Sequence, residues 1–208
     1  MTKRILVISW YFPPINSSEG LVTYKLLNNS KYNYDVYTQN TNNSWTYKKS
    51  EDIKINSNIE RVYSPAKSLG EFKVEAVKYF EKNKNKYDIV MTRSMPEVDH
   101  EIGLEIKNIK PNIIWIASFG DPIAHNPFTI KSINVKNPYS LKNRYEHHMG
   151  LKEMLSPKRF LKSLLFDNNI KRNKKLFLDK NIDFQESVIN LCDYVIYNSS
   201  NQKDYMLS

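Results

Sequence analysis

Asp121 is the residue of this sequence best placed to do chemistry. It follows NIIWIAS (residues 112–118), an apolar run that predicts a buried strand. A carboxylate at the end of such a strand can accept a proton or bind a hydroxyl. An Asp before a proline, here Pro122, is also an ordinary turn opener. His125, four residues on, can hydrogen-bond an acceptor group or a phosphate, or it can be a plain loop histidine. Arg93 and Ser94 follow YDIVMT (87–92), a second predicted strand. Arg93 can hold an anionic group through its planar fork, or pair with a surface carboxylate. Ser18, Glu19 and Gly20 close the loop after RILVIS (4–9). A glycine at a helix start lets backbone N–H groups approach a phosphate, and equally relieves a tight turn.

Other chemistries fail at the level of motif. The first loop, FPPINSSEG, holds one glycine, so it is neither a G-x-G-x-x-G dinucleotide fingerprint nor a P-loop. No nucleophile-elbow sequence supports a Ser/His/Asp triad. Cys192 is the single cysteine, which excludes an intrachain disulfide and a cysteine-based zinc site. His147 and His148 are adjacent, and adjacent histidines rarely point at one ion. Glu97 and Glu105 have E-x7-E spacing, which we read as coincidence.

The elements that must position these residues alternate. Strands are predicted at 4–9, 35–38, 59–64, 87–92, 112–118 and 193–198. Helices are predicted from about Leu21, capped by Ser17 or Ser18, over 70–85 and over 96–109, the last opened by Pro96. Residues 39–58 and 119–150 read as irregular, and 151–192 as one or two helices. Such alternation predicts an α/β fold, a Rossmann-like parallel sheet with helices on both faces. In an open sheet of that kind, ligands bind beyond the carboxyl ends of the strands, where all the residues above fall.

Three blocks carry a resemblance. ILVISWYFPP…EG…L…YDVYT is similar to the opening of family 4 glycosyltransferases, where an apolar strand runs into a YFPP-like loop and a glycine-containing helix start. YDIVMTRSMPEVDHEIGLEIKNIKPNIIWIASFGDPIAHNPF resembles the segment with a small-polar-Pro turn, a His-containing helix and a WIAxFxDPxxxNP loop. CDYVIYNSSNQKDYM resembles the step that closes the N-terminal domain. The blocks run in the family's order over residues 3–207. The resemblance implies the acceptor-side half of a two-domain GT-B enzyme that transfers a hexosyl group from a nucleotide-sugar, with retention, to a sugar or lipid-linked acceptor. It implies that Ser18, Glu19 and Gly20 face the donor phosphates. Asp121 would stand at the reaction centre, with Arg93, Ser94, Ser118, Gly120 and His125 around the substrate. It implies a donor-binding C-terminal domain, expected to be absent here, so that the chain is inactive alone. No metal or other cofactor is expected. Ser118, Gly120 and Ile123 depart from the Asp, Arg and Trp common in relatives, which bears on the local hydrogen bonding.

Charge adds a possible partner. The chain carries a net charge of +9. Residues 131–180 hold 13 Lys+Arg against 4 Asp+Glu, the whole of that excess. Leu151, Met154, Leu155, Leu161, Leu164 and Leu165 can share one helical face with the cations opposite, a pattern suited to an anionic membrane surface or to an ordinary packed helix. No nucleic-acid-binding motif is present. The rival to an enzyme half is a non-catalytic module that docks to a separate donor-binding chain or to membrane through residues 139–180. With no signal peptide in MTKRILVISW, the expected site is the cytoplasm or the inner face of the membrane.

Overall fold

The computed structural model describes residues 4–40, 53–124, 126 and 157–207. Short runs rich in β-branched and aromatic residues form six strands: β1 (Arg4–Ile8), β2 (Asn33–Gln39), β3 (Ile59–Ser64), β4 (Tyr87–Arg93), β5 (Ile114–Phe119) and β6 (Tyr194–Tyr197). Between and after them run α1 (Ser18–Asn28), α2 (Leu69–Asn83), α3 (Val98–Ile109), α4 (Pro157–Leu191) and α5 (Ser200–Leu207). Every strand pairing is parallel, and the order across the sheet is β3-β2-β1-β4-β5-β6. This is a Rossmann-like sheet, doubly wound from its centre, and its order reverses between β1 and β4.

A parallel sheet needs cover on both faces, which is why β1 is apolar throughout. Ile5 and Val7 pack with Val36, Met91 and Leu27 of α1. On the other face Tyr37 lies 5.4 Å from Phe72 and 5.0 Å from Tyr79, both on α2. Ser17 caps α1 by accepting the Gly20 N–H at 3.0 Å. Ser68 caps α2 in the same way, and Glu71 reaches back to the Lys67 N–H at 2.8 Å. Helix α3 starts at Val98, two residues later than Pro96 predicts, because Met95 and Pro96 belong to the turn leaving β4.

Helix α3 approaches β5 through Gly103, where a Cβ would lie 2.4 Å from two Trp115 ring atoms. The indole is fully buried and its Nε1–H donates to Thr92 Oγ1 at 2.9 Å, so the ring has no easy retreat. Gly103→Ala is therefore expected to destabilise the protein by about 1–3 kcal/mol through overpacking. The helix-propensity gain of about 1 kcal/mol offsets only part of that. Denaturant unfolding of the variant would check it.

At the amino edge of the sheet lies a buried ionic cluster. The Asp35 side chain is 0% exposed. It accepts from Tyr87 Oη and Lys86 Nζ, each at 2.5 Å, and from the Arg4 guanidinium, which also bonds Glu60. Burial alone would raise the Asp35 carboxyl, but the bonds from Lys86, Tyr87 and Arg4 outweigh it and hold its pKa below the ordinary value.

The chain divides into two compact units, residues 1–122 with 186–208, and residues 123–185. The first contains the whole sheet. In the second, Gln185 Oε1 accepts the N–H groups of Ile123 and Ala124 at 3.0 and 3.1 Å. Among the described residues no helix is long and apolar enough to cross a membrane.

Candidate functional site

The reversal of strand order between β1 and β4 opens a crevice at the carboxyl edge, because the loops that follow those strands leave toward opposite faces. A cleft of about 280 Å³ lies there. Its walls are Tyr11, Ser17, Ser18 and Glu19 from the β1–α1 connection, Met95 and Pro96 after β4, and Asp121 after β5. Met95 has φ 68°, a left-handed conformation that a residue with a side chain seldom adopts without cause. Strain of that kind clusters at ligand sites. A larger cavity of about 410 Å³, lined by Pro65, Ala66, Gly70, Glu71, Val74 and Glu75, is mostly apolar and holds none of the candidate residues.

Beneath the cleft is a hydrogen-bonded floor. Arg93, 2% exposed, is its centre. Its Nε donates to Glu19 Oε2 at 2.9 Å, and its Nη1 donates to Ser118 Oγ at 2.9 Å and Asn198 Oδ1 at 3.4 Å. Nη2 lies 2.9 Å from the same Glu19 oxygen, close enough for an ion pair yet without hydrogen-bond alignment. Ser94 Oγ accepts the Gly120 N–H at 2.8 Å, and the Gly120 carbonyl accepts from Asn198 Nδ2 at 2.5 Å. Glu19 sits so close over Gly120 that a Cβ there would meet its carboxylate at 2.5 Å.

These positions sort the candidates. Asp121, Ser18 and Glu19 reach the cleft together, Asp121 as an exposed residue. Ser94, Ser118 and Gly120 are buried in the floor and brace it, rather than facing a substrate. Gly20 does not present its amide to a ligand here: the N–H is taken by Ser17, and the Cα packs against Tyr11 and Phe12. Arg93 does not face a ligand anion either, since Glu19 of the same chain is its carboxylate. His125 lies outside the described residues, as do His147 and His148. Glu105 pairs with Lys73 at 3.5 Å, on the outer surface of α3.

No sequence motif marks Tyr11, Ser17, Met95 and Pro96 as cleft residues, or Asn198 and Gln202 as floor residues, Gln202 donating its Nε2–H to the Gly120 carbonyl at 3.4 Å. Their signal was position alone: each follows a strand at its carboxyl end. Two buried neighbours on α3, Asp99 and His100, likewise carry no motif. His100 Nδ1 lies 2.7 Å from Thr92 Oγ1, which already accepts the Trp115 N–H. The Thr92 hydroxyl has one hydrogen and two lone pairs, so it pairs with either tautomer of His100, while Nε2 is buried without a partner. Burial, and then the Arg93 charge, push the His100 pKa down to about 3. Asp99 Oδ2 accepts the Trp10 N–H at 3.0 Å and so ties the first loop to α3, while Oδ1 has no partner. Burial pushes the Asp99 carboxyl well above its ordinary value, against the smaller lowering by the Trp10 N–H.

A group whose folded pKa is raised contributes stability below its unfolded pKa, near 3.9 for Asp, and loses it as pH rises through the folded value. Asp99→Asn keeps the Trp10 acceptor and removes the ionisation. The variant is expected to melt higher than the parent at pH 7–8, with the difference shrinking toward pH 4. Parallel melting curves from pH 4 to 8 would check this.

Among the described residues no three His, Cys, Asp or Glu side chains converge to hold a metal ion. The sequence matches no protein-family model and no curated protein.

Proposed function

We propose that this chain is the acceptor-side half of a nucleotide-sugar-dependent glycosyltransferase of the family 4 type, acting in cell-surface polysaccharide or glycolipid synthesis. One observation carries the reading: a cleft at the switch point of a doubly wound sheet is walled by a carboxylate after β5, Asp121, opposite hydroxyls and a carboxylate at the start of α1. Asp121 accepts the hydrogen of the acceptor hydroxyl as that oxygen bonds the anomeric carbon and the sugar–diphosphate bond breaks. The departing diphosphate needs cations or backbone donors to take up its charge. Among the described residues the cleft lining contains neither Lys nor Arg. Those groups are expected on a donor-binding domain that closes over this edge, and the 208 residues by themselves are expected to turn over negligibly.

The test is sugar transfer and nucleotide-sugar hydrolysis, measured with the purified chain alone and with a donor-binding domain added. Turnover that appears only on addition supports the reading. Robust turnover by the chain alone overturns the half-site assignment, and none in either arm across a screen of donor sugars overturns the glycosyl-transfer reading.

A second reading has its own observation. On α4, Leu161, Leu164, Leu165 and Leu176 are 47–59% exposed, within about a third of the helix circumference. Residues 157–180 carry 8 Lys+Arg against 2 Asp+Glu. Exposed leucines amid cations suit the surface of an anionic bilayer, where a lipid-linked acceptor would also be found. Co-sedimentation with anionic and neutral vesicles over a salt series separates this from a solvated helix, since only the anionic vesicles should retain the protein, and less so as salt rises.

A further inference from the structure

An added Cβ at Gly120 would lie 2.5 Å from the Glu19 carboxylate, which Arg93 holds, so the position suits glycine. Glycine is also the most permissive backbone residue, and this one stands directly before Asp121. Unrestrained, it would let the Asp121 carboxylate leave the floor in many directions. Three side chains remove that freedom. Ser94 Oγ accepts the Gly120 N–H at 2.8 Å. Asn198 Nδ2 donates to the Gly120 carbonyl at 2.5 Å, and Gln202 Nε2 to the same oxygen at 3.4 Å. A peptide group is planar, so the Gly120 carbonyl and the Asp121 N and Cα move as one body. Bonds to that carbonyl therefore set where Asp121 begins.

Each of the two amides is oriented by a second bond. Asn198 Oδ1 accepts from Arg93 Nη1 at 3.4 Å, which turns its Nδ2 toward Gly120. Gln202 Oε1 accepts the Asn198 N–H at 2.7 Å, which leaves its Nε2 to donate. Asn198 follows β6, and Gln202 lies in the first turn of α5, where Ser199 Oγ accepts its N–H at 3.1 Å. Asn198 is nonetheless an exposed residue. Exposed side chains contribute little to stability. This one spends both ends of its amide inward, on Arg93 at the end of β4 and on Gly120 after β5. We propose that Asn198, supported by Gln202, is a positioning residue for Asp121: by clasping the Gly120 carbonyl it holds the Asp121 carboxylate at the cleft. What Asp121 does there rests on the glycosyl-transfer reading, whereas the clasp itself does not.

The first measurement is backbone 15N relaxation on the purified 208-residue chain. In the parent the Gly120 and Asp121 amides are expected to be as ordered as β5, with order parameters of about 0.85, and in Asn198→Ala to fall below about 0.6. The melting temperature should drop by no more than about 4 °C. Gln202→Glu keeps an acceptor for the Asn198 N–H and replaces the donor to Gly120. It should loosen the same two amides by less, and it serves if Asn198→Ala does not fold. Unchanged order at both residues overturns the proposal. The second measurement is turnover by the transferase reconstituted with a donor-binding domain. Asn198→Ala is expected to lower kcat at least about tenfold, because misplacing a reacting group by about 1 Å can cost about 10²-fold, with KM within about twofold. In an Asp121→Asn background the same substitution should cost nothing further, since it acts through Asp121 alone. An equal loss in both backgrounds marks a general structural defect and overturns the proposal. If no reconstituted enzyme turns over, the glycosyl-transfer reading fails, and the relaxation data alone decide whether Asn198 holds Asp121.

Discussion

Asp35→Ala is expected to lower the unfolding free energy by about 3 kcal/mol, the largest loss from any single ion pair described here. Breaking a buried pair by removing one partner typically costs about 3–5 kcal/mol, because the remaining charge loses its compensation without regaining water. In this cluster Arg4 and Lys86 are 29% and 43% exposed and can turn to solvent, which places the cost at the low end. Tyr87, fully buried, keeps only its contact with Tyr79 Oη at 2.9 Å. Arg4→Ala should cost much less, since Lys86 and Tyr87 still hold the carboxylate. The sign with pH follows from the lowered pKa of Asp35: its contribution is complete above the unfolded value near 3.9 and is lost as pH falls through the folded value. Parent and Asp35→Asn stabilities should therefore converge in acid and separate above about pH 4. Urea unfolding at pH 3 and pH 7 reads both effects, and equal stability of parent and Asp35→Ala at pH 7 would remove the cluster as a stabilising feature.

The second large effect is catalytic. In a transferase reconstituted from this chain and a donor-binding domain, Asp121→Asn is expected to reduce kcat by about 10²–10⁴-fold, the range for a side chain that handles a proton in the transition state. Its melting temperature should be unchanged, since Asp121 is exposed. A surface substitution of this kind usually stays within about 0.5 kcal/mol. That separation is what makes the position informative. Arg93→Met, by contrast, should lose activity and stability together, because it removes the centre of the floor under Glu19, Ser118 and Asn198. Turnover by Asp121→Asn within about threefold of the parent would withdraw the catalytic role, since general acid–base groups contribute far more than that.

The scaffold was readable because its signals are local. Apolar runs such as RILVI and IWIASF, each followed by a loop and a helical period, predict parallel strands without reference to anything distant. Helix α3 starts two residues later than Pro96 predicts, since Pro96 suits a helical first turn as well as the turn that precedes one. The site was readable only in position. Arg93 at the end of β4 and Glu19 at the start of α1 are 74 residues apart, and nothing in their types or spacing says that one neutralises the other. That pairing turns an apparent anion site into an internal ion pair, and it is legible only once β1 and β4 lie side by side. The same applies to Gly120, where an added Cβ would meet the carboxylate of Glu19 in the first turn of α1 at 2.5 Å. The polar residues of α3 are hidden for a different reason: an Asp in a helical first turn is ordinary, while the folded chain buries both Asp99 and His100.

The bonds from Ile123 and Ala124 to Gln185 bring the two ends of a 63-residue excursion to a single side-chain oxygen. Gln185 is buried and lies inside α4, so replacing it with an apolar residue would leave the Ile123 and Ala124 N–H groups without their acceptor, a loss felt at two peptide groups from one side chain.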